Sequence, residues 1–265
     1  MSDKDKKETA GKIADVIRAI SGKTGKRAFT SAIILAAGSS RRMGNGGSKQ
    51  MLMIDGLSVV ARTVIEFERS ASINEIIIVA KKDEIPLYDG FAEQHGIKKP
   101  LKVIEGGQTR QESARLGSDV VDERAKFIAI HDAARCLITD ELIDKVCQGA
   151  YTNDAAILAI KATDTVKIAD RKAFIESTPD REYAWQAQTP QVFKVNAFRA
   201  ATYIARDEKY EGTDDASLLE HIEIPVKLIE GSKENIKITE PSDIYFAEAV
   251  LSARAAKAKA EKGEE

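Results

Sequence analysis

The sequence predicts an α/β protein built on a mostly parallel β-sheet with helices on both faces. Two observations carry this. Short apolar runs that end at glycine or polar turns alternate with stretches of helical spacing, the pattern of buried parallel strands and their crossover helices. The 265 residues are 43% apolar and 31% charged, which suits one soluble α/β domain with appendages and enough material for a sizeable core.

The elements follow in order. Ser31 to Ala36 is a short apolar run that enters a glycine turn at Gly38, a buried strand. Leu57 to Arg69 has helical spacing through Val60, Val64 and Phe67, and Glu75 to Ala80 is a second buried strand. A helix is expected near 83–95, a strand at Leu101 to Glu105, a helix near 110–121 and a strand at Lys126 to Ile130. Thr139 to Ala150 reads as a helix and Ala155 to Ile160 as a strand. The alternation breaks between about 161 and 190. There Thr165–Ile168 and Ala173–Glu176 flank a polar turn, a β-hairpin outside the parallel order that reads as a dimer arm. A helix near 195–207, strands near 225–229 and 235–238, and a final helix from Pro241 complete the body.

The ends differ from the body. Residues 1–28 hold eight basic and four acidic residues, with Ile13, Val16, Ile17 and Ile20 on one helical face. This reads as a solvated, partly helical or disordered extension; with four apolar positions and no aromatic it makes a weak membrane-surface helix. It lacks the apolar region of a secretory signal, and its early acidic residues argue against a transit peptide. Ser21-Gly22-Lys23-Thr24 resembles the end of a phosphate-binding loop, but Ile17 stands where that motif needs glycine. The stretch from Ser252 is Ala-rich and charged and is expected to fray. The expected division is an extension at 1–28, a body at 29–252 with its arm at about 161–184, and a charged tail at 253–265.

Forty basic against forty-two acidic residues give a net charge of -2, which argues against a nucleic-acid partner but leaves room for a locally basic pocket. Apolar runs fall well short of the roughly 18 residues of a membrane span. Cys136 and Cys147 are too few for a disulfide framework and have no metal-site spacing, so a reducing, cytoplasmic setting is expected. His95, His131 and His221 form no ligand pair.

In open α/β sheets ligands bind beyond the C-terminal ends of the strands, so the loops there are informative. The first, from Ala36-Ala37-Gly38 through Arg41-Arg42-Met43 to Lys49-Gln50, joins small residues that let backbone N–H groups approach a phosphate with permanent positive charge. It suits a triphosphate, or is a flexible surface loop with scattered bases. Gly106-Gly107-Gln108-Thr109-Arg110 opens a helix, either a nucleotide contact or an ordinary turn. Asp132, in His131-Asp132-Ala133-Ala134-Arg135, is either a Mg²⁺ or ribose partner or a loop cap. Thr213 has the look of a helix N-cap and Lys237 of a strand-edge lysine.

Taken together, from about Ser31 to Leu251, these motifs resemble the 2-C-methyl-D-erythritol 4-phosphate cytidylyltransferase family. The resemblance rests on Ala-Ala-Gly…Arg-Arg-Met…Lys-Gln, Gly-Gly-x-x-Arg-x-x-Ser, His-Asp-Ala-Ala-Arg, Asp164-Thr165-Val166-Lys167, Gln188-Thr189-Pro190-Gln191-x-Phe193, Thr213-Asp214-x-Ala216-Ser217 and Asn235-Ile236-Lys237-Ile238-Thr239, in the family's order. It implies a three-layer, Rossmann-like nucleotidyltransferase fold with a mostly parallel sheet and a β-hairpin dimerisation arm. It also implies an enzyme that joins CTP and a polyol phosphate into a CDP-alcohol and pyrophosphate, using Mg²⁺ or another divalent cation held mainly by the CTP phosphates. The protein would be a cytoplasmic homodimer that binds neither nucleic acid nor membrane.

The resemblance also implies roles. Arg42 and Lys49 match stabilisers of the triphosphate, and Arg181 and Lys237 match residues that position the incoming phosphate. Ala36, Ala37, Gly38, Gly107, Gln108 and Ser113 match nucleotide contacts, and Asp132 the acidic residue near ribose and metal. Thr165, Thr189, Thr213 and Arg135 match the polyol site, with Thr165 and Arg181 serving the partner's site. Ser48, Gln108 and Cys136 depart from the usual proline, acidic residue and proline. The sister family acting on ribitol 5-phosphate usually has Ala-Gly-Gly and His-Asp-Ser-Val-Arg loops, so Ala36-Ala37-Gly38 and His131-Asp132-Ala133-Ala134-Arg135 favour methylerythritol phosphate. A non-catalytic nucleotide-binding homologue is the other alternative; retention of Arg42, Lys49, Arg181 and Lys237 argues against it.

Overall fold

A computed structural model describes residues 28–38 and 48–262. In chain order the elements are β1 (Thr30–Leu35), β2 (Met53–Ile54), β3 (Leu57–Ser58), α1 (Val59–Arg69), β4 (Glu75–Ala80), a 3₁₀ helix (Lys82–Tyr88), α2 (Phe91–His95), β5 (Leu101–Glu105) and α3 (Arg110–Asp119). There follow β6 (Phe127–Asp132), α4 (Asp140–Asn153), β7 (Ala155–Lys161), β8 (Ile168–Ala169), β9 (Ile175–Ser177), β10 (Trp185–Lys194), α5 (Val195–Glu208), α6 (Asp215–His221), β11 (Lys227–Glu230) and α7 (Ser242–Lys262).

Among the described residues the main sheet has seven strands in the order β11-β7-β10-β6-β1-β4-β5. All pairs are parallel except those of β10, which runs antiparallel to both β6 and β7. Successive side chains of a strand point to opposite faces, so each apolar strand feeds two cores. Ala32, Ile34, Ile76, Ile78 and Phe127 pack with Val60, Val64 and Phe67 of α1 and Ile143 and Val146 of α4. Ile33, Ile77, Val79, Ile128 and Ile130 pack with Ala114 of α3, Phe198 of α5 and Leu218 of α6. These are the three layers of a Rossmann-like α/β fold. Phe198 is fully buried and stacked on Phe193 with ring centroids 5.9 Å apart. Phe198→Ala is expected to destabilise the protein by about 3–5 kcal/mol, read by denaturant unfolding.

Several expected boundaries move. The helix expected near 83–95 divides in two, because Pro86 sits in its first part and Gly90 takes a left-handed φ of 70°. Strand β6 runs past Ile130 through His131 and Asp132, so Asp132 is its last residue and not part of the following loop. The expected strand at 235–238 is a loop. The helix N-cap is Asp214, not Thr213; its side chain accepts from Ser217 N in a capping box. Helix α7 continues through Lys262 where fraying was expected, and Arg254 on it donates to Leu137 O. The hairpin arm is present, with strands shorter than expected because Ala173 turns at a φ of 65°.

The largest omission is β10. The segment carries Gln186, Gln188, Thr189, Pro190 and Gln191, and a proline argues against a central strand. The register shift between Ala187 and Gln191 accommodates it. Cys136 and Cys147 are both buried free thiols; burial pushes Cys136 up to about 11. No helix among the described residues is long and apolar enough to cross a membrane. The N-terminal extension, Arg41 and Arg42 lie outside the described residues.

Candidate active site

The C-terminal ends of the four parallel strands β1, β4, β5 and β6 lie together. Ala36 N donates to Val79 O at 2.8 Å, Gly106 N to Ala80 O at 2.8 Å and Ala133 N to Leu35 O at 3.1 Å. The two glycine-bearing loops touch at Gly106, where a Cβ would stand 2.7 Å from Ala37 Cβ and 3.0 Å from Ser113 Oγ. Any larger residue would force the Ala36-Ala37-Gly38 turn away from the second loop. Ser113 shapes that loop from beneath: its hydroxyl accepts from Gly107 N at 3.1 Å and donates to Thr109 O at 2.9 Å. Glu112 accepts from Gln108 N at 2.7 Å, while Thr109 caps α3 through Glu112 N.

The antiparallel register sets Gln191 opposite Ile130, which places Thr189 beside Asp132. Thr189 Oγ1 accepts from Asp132 N at 3.1 Å and lies 3.0 Å from His131 Nδ1. His131 Nε2 faces Arg135 O, which can only accept, so the ring proton sits on Nε2 and Thr189 donates to Nδ1. Burial holds His131 neutral, down to about 3. The hydroxyl of Thr189 is thus engaged within the framework, and its side chain is buried. Thr189→Val is expected to cost about 1–3 kcal/mol by orphaning the Asp132 amide, with Thr189→Ser retaining most of it; thermal unfolding reads the difference.

Charge converges on Asp132. Lys237 Nζ lies 2.8 Å from its Oδ2 and Arg110 Nε 3.1 Å from its Oδ1, while Arg110 Nη2 reaches Asp215 Oδ2 at 2.8 Å. Burial opposes the charge on Asp132, but Arg110 and Lys237 outweigh it and hold the carboxyl well below the usual range. Burial likewise opposes the charge on Arg110, and Asp215 and Asp132 more than restore it. Lys237 is brought here by a folded-back loop. Ile238 N donates to Ala134 O at 2.8 Å, Arg135 Nη1 to Asn235 O at 2.8 Å, and Asn235 Nδ2 to Thr189 O at 2.9 Å.

Lys49 begins a short 3₁₀ turn and its charge is felt at Asp243. Burial opposes ionisation of Asp243, but the amides of Thr239 and Glu240, with Lys49, keep it below the usual range. Asp243 Oδ2 accepts from Thr239 N at 2.6 Å. Three cations, Arg110, Arg135 and Lys237, face two carboxylates, Asp132 and Asp215, an excess that suits a polyanion.

The family model for 2-C-methyl-D-erythritol 4-phosphate cytidylyltransferase matches residues 30–253. The chain belongs to this family. It is 38% identical over 222 residues to the cytidylyltransferase of that name from Acaryochloris marina, covering 84% of this chain and 94% of the relative. It is 41% identical to that of Caldanaerobacter subterraneus subsp. tengcongensis, covering 83% and 98%. The crystal structure of 4-diphosphocytidyl-2C-methyl-D-erythritol synthase from Anaerococcus prevotii superposes with a TM-score of 0.77 at 32% identity, covering 85% of this chain and 96% of that one.

Within this cytidylyltransferase fold the expected residues separate into two groups. Ala36, Ala37, Gly38, Gly107, Gln108, Ser113, Asp132, Arg135 and Lys237 gather at the strand ends, and Lys49 begins the 3₁₀ turn Lys49–Met51. Thr213 is exposed beside the N-cap Asp214, which Gln191 holds through its Nε2 at 2.7 Å. Thr165 and Arg181 stand exposed on the arm, where Arg181 Nη1 donates to Thr163 O at 3.1 Å. Arg110, Asp215, His131 and Gln191 were assigned no role from sequence. All four stand inside motifs quoted above, but their pairings cross between loops far apart in the chain.

Proposed function

We propose that this protein transfers CMP from CTP to 2-C-methyl-D-erythritol 4-phosphate, giving 4-diphosphocytidyl-2-C-methyl-D-erythritol and pyrophosphate. The observation that carries the reading is Lys237 paired to Asp132 at the strand ends, beside the joined Ala36–Gly38 and Gly106–Gln108 loops, in a chain of this family. The transferase body is 29–252, with 1–28 and 253–265 as appendages. An oxygen of the substrate phosphate attacks the α-phosphorus of CTP in line, and the bond to the β-phosphate bridging oxygen breaks. The phosphate monoester is largely ionised at neutral pH, so no general base is required. Charge neutralisation and alignment then carry the rate.

Arg42 and Lys49 stabilise the charge that builds on the triphosphate. Lys237 and Arg181 hold the incoming phosphate; Ala36, Ala37, Gly38, Gly107, Gln108 and Ser113 form the nucleotide cradle. Arg135, Thr189, Thr213 and the partner's Thr165 line the polyol site. Among the described residues no cluster of three or more His, Cys, Asp or Glu could hold a metal by itself. Asp132 offers one carboxylate whose two oxygens already face Arg110 and Lys237, so Mg²⁺ would be carried chiefly by the CTP phosphates. Bound there, the ion would neutralise phosphate charge. The hairpin arm makes the working unit a cytoplasmic homodimer.

Pyrophosphate release with CTP and Mg²⁺ tests this, with methylerythritol 4-phosphate and ribitol 5-phosphate offered separately. Turnover is expected with the first alone. Preference for ribitol phosphate would overturn the substrate. A folded protein that binds CTP and releases no pyrophosphate with either would instead be a non-catalytic homologue.

A further inference from the structure

Four side chains of alternating charge run in a line across the strand ends: Asp215, Arg110, Asp132, Lys237. Asp215 is the first residue of α6 and is fully buried, with neither carboxylate oxygen in a hydrogen bond. Its one strong contact is Arg110 Nη2 at 2.8 Å. Arg110 is the first residue of α3, directly after the Gly106–Thr109 loop. Its planar fork reaches Asp215 with one nitrogen and Asp132 Oδ1 with another, leaving Asp132 Oδ2 for Lys237. A lysine at 110 has a single ammonium and could not span both carboxylates in this fixed geometry.

We propose that Arg110 and Asp215 are positioning residues that aim Lys237 at the incoming phosphate by fixing the Asp132 carboxylate between them. The inference rests on the cytidylyltransferase reading. Lys237 is half-exposed, on a loop, and carries a flexible four-carbon stem, so its ammonium has many places to be. Asp132 selects one. Asp132 in turn has two oxygens that could rotate or draw Lys237 inward, and Arg110 settles which oxygen faces which partner. Asp215 keeps the fork from swinging into the site, and its placement at the α6 N-terminus connects the chain to the Thr213 loop. A buried carboxylate held by a single ion pair and by no hydrogen bond is costly and gives little to packing, which is the mark of a group kept for what it orients.

The test is a double-mutant cycle on pyrophosphate release, with folded content and Tm measured for every variant. Arg110→Met is expected to lower kcat/KM roughly 100-fold, the size expected for a reacting group misplaced by about 1 Å. Because that variant strands Asp215 and could fail to fold, Arg110→Met/Asp215→Asn removes both charges and is expected to show a similar loss at near wild-type Tm. In a Lys237→Met background the same pair of changes should cost less than about threefold, since groups acting through one another are not additive. Arg110→Lys should recover about tenfold by restoring the Asp132 contact alone. Additive losses, or losses that follow folded content with unchanged kcat/KM per folded molecule, would overturn the inference while leaving the functional reading standing. Absence of turnover in the unsubstituted protein would overturn both.

Discussion

Lys237→Met is expected to lower kcat/KM by about 10²–10³-fold, the usual cost of removing one donor aimed at charge that develops in a transition state. The change should leave stability nearly intact. Lys237 is half-exposed, and Asp132 retains Arg110 when the ammonium is gone, so the loss in unfolding free energy should stay under about 1 kcal/mol. Steady-state kinetics with both substrates varied, beside thermal denaturation, separates the two effects. Lys237→Arg should not restore the rate. A guanidinium fork would engage Asp132 bidentately and present its remaining donors away from a phosphate that a point charge met end-on. A variant within about threefold of wild type would remove Lys237 from the reaction and, with it, the reason for the Asp132 pairing.

What the sequence disclosed and what it hid follow from the same physics. Strands β1 and β4 were legible because they are buried on both faces, so every position is free to be apolar. β10 was hidden because Gln188, Thr189 and Gln191 are buried within it, where their side chains hydrogen-bond Ser232 O, Asp132 N and Ala216 N. Their polarity erases the strand signal. The charged residues of the site stand in recognisable motifs, but the partners that orient them do not announce themselves. Arg110 and Asp132 look like a helix start and a strand end; only the parallel order of β1, β4, β5 and β6 brings those ends side by side. Thr189 shows the converse. Its motif is plain in the sequence, but the hydrogen bond that its hydroxyl accepts from Asp132 N depends on a register between strands far apart in the chain.

Arg181→Ala and Lys49→Ala are each expected to abolish nearly all turnover alone, by about 10² or more, yet to restore it when the two inactive proteins are refolded together. The arm explains why. Phe174, Ile175 and Tyr183 are 70%, 63% and 78% exposed, an apolar surface out of place on a protein meant to stand alone. Arg181 donates to the backbone of Thr163 on the same arm, while Lys49 lies on the body, in the 3₁₀ turn that precedes β2. If the arm crosses a two-fold axis, Arg181 completes the site of the second subunit. A mixed dimer then has one site carrying both substitutions and one carrying neither. Random pairing makes about half of the dimers mixed, each with one intact site, so the mixture should regain about a quarter of wild-type activity. An arm that folded back to serve its own subunit would give a mixture as inactive as its components. Because both outcomes come from the same two proteins at the same concentration, loss of folding in either variant would show as missing dimer by size-exclusion chromatography and not as a failure to complement.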